Sequence, residues 1–300
     1  MPRRPISITL ATVLTCAATI GCGASRGGNG TPQAERVVCV SKQLNEYLYA
    51  IGAQGVLVGR DLTSIYPPQI RQVTSVGYHR ALSAEGIISL KPTLFLTDGN
   101  FGPAAVQTQL QEVGIPIWTL EPGRTLEGAE ALVDSLGSRF HREATADSVL
   151  AAWKEGMAEA LKDTLQWTGT RRPRVLMIHF GQIANDYLAL KRGGVADEML
   201  HWAGADNAVD SVGGMMRLTP ELIAKVAPDI IVATDVGFDR YGSPAKFATM
   251  PGVSLTPAGR ALRIYRIEET DVMYFGPRTP EAIRRLEGFF HPKDQGAVTR

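Results

Sequence analysis

The residue of this chain best suited to chemistry is Tyr66, in the run Thr63-Ser64-Ile65-Tyr66-Pro67-Pro68. The run follows a short apolar strand signal at Val56–Val58. Each proline fixes its own φ, lacks an N–H, and pushes the residue before it out of the helical region. Tyr66 therefore belongs to a stiff loop at a strand end, where its phenol can face a cleft. The plainer alternative is a ring that caps the core.

Two acids form a second set. Residues 83–96, SAEGIISLKPTLFL, align without gaps to residues 219–232, TPELIAKVAPDIIV. Each copy offers a hydroxyl N-cap, an acid in the first turn, and a proline that ends the helix before a strand. Glu85 and Glu221 thus hold corresponding places in two halves of the chain. They serve either as helix-start stabilisers or as a functional pair.

Signatures of catalysis are missing. The sequence has no G-x-S-x-G elbow, P-loop, H-E-x-x-H or C-x-x-C, and no G-x-G-x-x-G after a strand. His79, His141, His179, His201 and His291 are scattered and give no clustered zinc pattern, although ligands gathered across lobes stay open. Cys39 lies in the buried-strand pattern Arg36–Val40 and reads as inert packing. Basic and acidic residues number 31 and 30, with no basic cluster among aromatics, so nucleic-acid binding has no support. These residues point to a lobed binding module and not to an enzyme.

The elements that must position them alternate. Strand signals at 36–40, 56–59, 93–97 and 115–119 enclose helical patterns near 42–51, 83–90 and 103–113. The second half repeats the scheme, with strands at 174–180, 229–234 and 263–267 and helices near 194–203, 219–226 and 279–290. Such alternation predicts an α/β fold of two Rossmann-like lobes with mainly parallel sheets. Between them Val149, Trp153, Met157, Leu161 and Leu165 recur at four-residue steps. They predict one long linking helix over 142–166, about 36 Å at 1.5 Å per residue. The expected divisions are an N-terminal lobe at 36–141, the linking segment at 142–170 and a C-terminal lobe at 171–295.

The N-terminus sets the compartment. Arg3 and Arg4 precede an uncharged, largely apolar run from Ile6 to Ile20, which ends at Thr19-Ile20-Gly21-Cys22. A run this short and early reads as an export signal over 1–22. Its end resembles a bacterial lipobox with Cys22 as the lipidated residue; Thr19 stands where leucine is commoner, and plain cleavage stays open. Cys16, after Thr15, fits the pattern less well. Residues 23–35 are small, polar and glycine-rich, a flexible tether.

Three segments carry a family likeness: Thr63–Pro67 (T-S-x-Y-P), Val76–Gly86 (V-G-Y-x-R-A-L-S-A-E-G) and Gly276–Ala282 (G-P-R-T-P-E-A). With Leu255–Gly259, LTPAG, the similarity spans about residues 36–291. The chain resembles the helical-hinge substrate-binding proteins of bacterial ABC importers for heme, cobalamin and iron siderophores, and most of all their periplasmic hemin-binding branch.

That resemblance implies a transported ligand, heme b, with Tyr66 on its iron. A phenolate is a hard anionic ligand suited to Fe(III). Its free pKa is near 10, so iron and a nearby cation must stabilise it. Arg80 would supply that cation, meet a propionate, or simply point outward. His179, at the end of strand 174–180, would add a second ligand from the other lobe or be a satisfied strand-end histidine. His79 is a weaker candidate. Met215 and Met216 stand where the family has a tyrosine–lysine pair, as thioether contacts or apolar lining. Arg278 would pair with a propionate or brace the final helix.

Lys42 lies where the family has a small glycine-serine turn; it would neutralise a propionate or narrow the cleft. Glu85 and Glu221 map onto the acids with which the family docks on its permease. The expected protein is an exported, lipid-anchored heme carrier that hands its cargo to an ABC permease with ATPase subunits. The alternatives are a cobalamin or ferric-siderophore carrier and, from another class, an exported metal-dependent enzyme.

Overall fold

A computed structural model of the chain describes residues 35–162, 171–181 and 185–292. Cys16, Cys22, the signal segment 1–22, nearly all of the tether and the end of the linking segment lie outside them. Strands β1 (Val37–Val40), β2 (Leu57–Arg60), β3 (Leu94–Thr97) and β4 (Ile117–Thr119) form a parallel sheet in the order β2-β1-β3-β4. The two central strands, β1 and β3, are buried at every residue, as a sheet covered on both faces requires. Helices α1 (Lys42–Ala50), α2 (Ala84–Ser89) and α3 (Ala104–Glu112) connect these strands.

Helix α4 (Leu126–Arg139), which no strong sequence pattern announced, turns back on the long helix α5 (Glu143–Lys162). In α5, Trp153 and Met157 of the anticipated stripe are buried, together with Ala146 and Ala160; Val149 and Leu161 are partly buried against the same cluster, and Leu165 lies outside the described residues. The second lobe is built on strands β5 (Arg174–Gly181), β6 (Asp186–Leu190), β7 (Asp206–Asn207), β8 (Met215–Arg217), β9 (Ile230–Thr234) and β10 (Ile264–Ile267). Its sheet order is β10-β9-β5-β6-β8, with β7 on β5. Here β10, β9, β5 and β7 run parallel, whereas β6 pairs antiparallel with both β5 and the edge strand β8. Strands β6 and β8 carry polar or half-exposed residues, so they lack the apolar run that marks a buried parallel strand.

Helices α6 (Val195–Trp202), α7 (Pro220–Val226), α8 (Asp235–Asp239), α9 (Pro244–Phe247), α10 (Pro257–Arg260), α11 (Glu269–Val272) and α12 (Thr279–Phe290) complete the lobe. The internal echo extends to the backbone. Ser83 and Thr219 cap α2 and α7 through the N–H groups of Gly86 and Leu222. Lys91 and Ala227, each directly before the matching proline, both adopt a left-handed φ, 48° and 42°. The largest apolar cluster joins α1, α4, α5, α6 and α12 and so runs beneath both sheets.

Candidate functional site

Ligands of open parallel sheets bind outside the carboxyl ends of the strands. Lys42 begins α1 just after β1, Tyr66 follows β2, His179 nears the end of β5, and Glu269 follows β10. The fold therefore brings residues from far apart in the sequence to facing strand ends.

The Tyr66 loop is clamped by the two hydroxyls that precede it. Buried Asp61, at the exit of β2, accepts from Thr63 N–H at 2.8 Å, from the Thr63 hydroxyl and from the Ser64 hydroxyl. Asn45 of α1 donates to Ser64 Oγ at 2.9 Å and to the Cys39 carbonyl at 3.1 Å. Thr63 and Ser64 are thus spent on holding the loop, which leaves Tyr66 as its outward group. The Tyr66 ring is half-buried and lines a cavity of about 810 Å³. Tyr49, Leu57, Val73, Glu46 and Arg278 share that cavity, which lies along β2 and reaches the Pro277–Arg278 corner of the second lobe. Its size falls within the range of small-molecule pockets, about 300–1,000 Å³.

Arg278 lies face-on to Tyr66, its guanidinium carbon 3.6 Å from the ring centroid. The same fork donates to Glu46 at 2.9 and 3.1 Å, to Thr270 Oγ1 at 3.0 Å, and to Asp271. Burial works against its charge, but Glu46 and Asp271 outweigh it and hold the pKa above the usual arginine value. Asp271 is pushed up by burial, against the lowering effect of Arg278 and Arg285. Around this knot α1 is fastened to the second lobe. Tyr47 Oη and Gln43 Nε2 donate to the Phe275 carbonyl at 2.7 and 2.9 Å, and Tyr274 Oη donates to Glu46 at 2.8 Å. Trp153 of α5 donates to the Gly276 carbonyl at 3.0 Å.

A second constellation joins Lys42 to His179 through Glu269. Lys42 Nζ is paired with Glu269 Oε1, and the other Glu269 oxygen is 4.0 Å from His179 Nδ1. That nitrogen is buried with no hydrogen-bond partner. Burial lowers the His179 pKa; Glu269 raises it and Lys42 lowers it further. A neutral imidazole follows, the form that can donate a lone pair.

The remaining candidates lie apart. Arg80 is exposed and donates to Asn100 Oδ1 at 3.0 Å. His79 packs against Tyr78, with ring centroids 4.3 Å apart and planes tilted by 47°. Met215 is exposed on β8, and Met216 packs against the second lobe's own core, near Ser211. Glu85 and Glu221 are exposed in the first turns of α2 and α7. Glu46, Asp61 and Glu269 were not singled out from sequence. Glu269 carried a usable signal, since an acid just past a strand end obeys the same rule that marked His179. Among the described residues, no group of three or more His, Cys, Asp or Glu side chains could hold a metal ion.

Two lobes with parallel strand ends turned toward one another, fastened at α1 and spanned by polar side chains, define a substrate-binding protein. Residues 37–270 match the periplasmic binding protein family, and the chain belongs to it. It is similar to an uncharacterized ABC transporter substrate-binding lipoprotein, YvrC, of Bacillus subtilis strain 168, 25% identical over 86% of this chain and 80% of that protein. The vitamin B12-binding protein of Vibrio campbellii is 28% identical over 43% of this chain and 46% of its own length.

Among solved structures, the periplasmic heme-binding protein BhuT, in complex with two hemes, aligns with TM-score 0.76 and 30% identity over 85% of this chain and 97% of BhuT. RhuT of Roseiflexus sp. RS-1, a periplasmic heme-binding protein in apo form, aligns with TM-score 0.78 and 27% identity, covering 86% and 98%. This chain is thus an exported substrate-binding protein of an ABC transporter and not an enzyme. Such proteins work with a membrane permease and its ATPase.

Proposed function

We propose that this protein captures heme b, as hemin, between its lobes and delivers it to the permease of an ABC importer. The observation that carries the reading is Tyr66. A phenol on a loop clamped by Asp61 lines a cavity of about 810 Å³ with a fixed arginine against its face. Phenolate oxygen suits ferric iron. His179, with an unpartnered ring nitrogen, is the second iron ligand, and Lys42 is the partner of a propionate. Glu85 and Glu221 dock the two lobes on the permease, and Cys22 carries the lipid anchor.

Heme-binding proteins among the structural neighbours support the ligand. The partial likeness to vitamin B12-binding proteins supports a second reading, a cobalamin carrier. Parallel titrations of the purified protein with hemin and hydroxocobalamin separate the two. Hemin should give a high-spin ferric tyrosinate spectrum that Tyr66→Phe abolishes. Tight cobalamin binding with no spectral change for hemin would replace heme by the second reading.

A further inference from the structure

Lys42 and Glu269 meet from opposite lobes, each at a strand's carboxyl end. Their side chains are only 23% and 14% exposed. Glu269 is held in place, its N–H donating to Asp235 Oδ1 at 3.1 Å, with Asp235 itself at the exit of β9. Lys42 stands in the first turn of α1, a turn without an acid of its own, where the helix dipole disfavours an unbalanced cation. Glu269 supplies the missing anion.

We propose that Glu269 occupies the place of a ligand carboxylate on Lys42 and thereby selects for acidic ligands, an inference that rests on the heme reading above. A guest that reaches Lys42 at this end of the strands must part the pair. Doing so leaves a largely buried ammonium without a partner, which is costly unless another anion takes over. A porphyrin propionate takes over in kind. A ligand rimmed by neutral amides or esters cannot, and bears the whole cost of separation. Glu269 thus raises the threshold for every ligand, and only a carboxylate-bearing one recovers it.

The experiment compares hemin with hemin dimethyl ester, whose propionates are masked, by equilibrium titration. Glu269→Gln leaves no pair to part, so both porphyrins should bind about tenfold more tightly, the equivalent of about 1.4 kcal/mol, with the preference for hemin kept. Lys42→Gln removes the cation, so the preference should fall toward unity. An unchanged affinity for both porphyrins in Glu269→Gln, or a preference retained in Lys42→Gln, overturns the role of Glu269 while leaving heme capture standing. If neither porphyrin binds, both proposals fall together. Should Glu269→Gln not fold, Lys42→Gln alone still decides.

Discussion

Arg278 covers the face of Tyr66, its guanidinium carbon 3.6 Å from the ring centroid, although the two residues come from different lobes. Such a cation–π contact contributes about 0.5–2 kcal/mol. Position here is set by the carboxylates, since Glu46 and Asp271 accept from the N–H groups of the fork. Tyr66 can therefore turn toward a ligand without the arginine following it.

Removing that fork should destabilise the whole protein. Glu46 and Asp271 are 3% and 2% exposed, and Arg278→Ala would leave Glu46 without its cation. The expected loss is about 3–5 kcal/mol by urea denaturation, the cost of an orphaned buried charge. Arg278→Lys keeps the charge but not the fork and should lose less. A loss below about 1 kcal/mol would place the pair with weak surface bridges.

Ser64 should matter for the loop and not for the ligand chemistry. Its hydroxyl donates to Asp61 and accepts from Asn45, all three residues being buried. Ser64→Ala should cost about 1–3 kcal/mol in stability. Hemin affinity should weaken while the tyrosinate band persists. Loss of the band with stability intact would argue against a purely supporting role.

Acid should weaken the fold in part through His179. Burial is the largest effect on its pKa and lowers it from 6.5, so the unfolded chain takes up this proton at a higher pH than the folded one. The stability linked to neutral His179 is present above about pH 6.5 and is lost as pH falls toward the folded value. Denaturation midpoints at about pH 7.5 and about pH 5.5 should differ, and His179→Gln should reduce the difference. His79 and His291 are lowered by burial too, so some slope should remain. A slope identical to wild type would contradict a buried neutral His179.

Glu85 and Glu221 are exposed in the first turns of α2 and α7, so each single charge adds little to folding. The backbone at the helix start and the Thr219 side chain hold the Glu221 carboxyl below the usual carboxylate range. Glu85→Arg combined with Glu221→Arg should abolish uptake in cells and leave hemin affinity unchanged. Normal transport by the double variant would end the docking proposal.

Local chemistry was legible in the sequence. The prolines after Tyr66, the hydroxyl caps at Ser83 and Thr219, and the apolar runs of β1, β3, β5 and β9 all act over a few residues. Each leaves a short-range pattern, as does the buried stripe of α5. The half-exposed strands β6 and β8 escaped because a strand that is only partly covered needs no continuous apolar run. Which charges meet was decided only by the tertiary structure. Arg278 faces Tyr66, and Lys42 reaches Glu269, because α1 is fastened to the second lobe and the strand ends of both sheets are brought together. No local periodicity encodes a distance between residues on different sheets, so the partners of these side chains appear only when the lobes are packed.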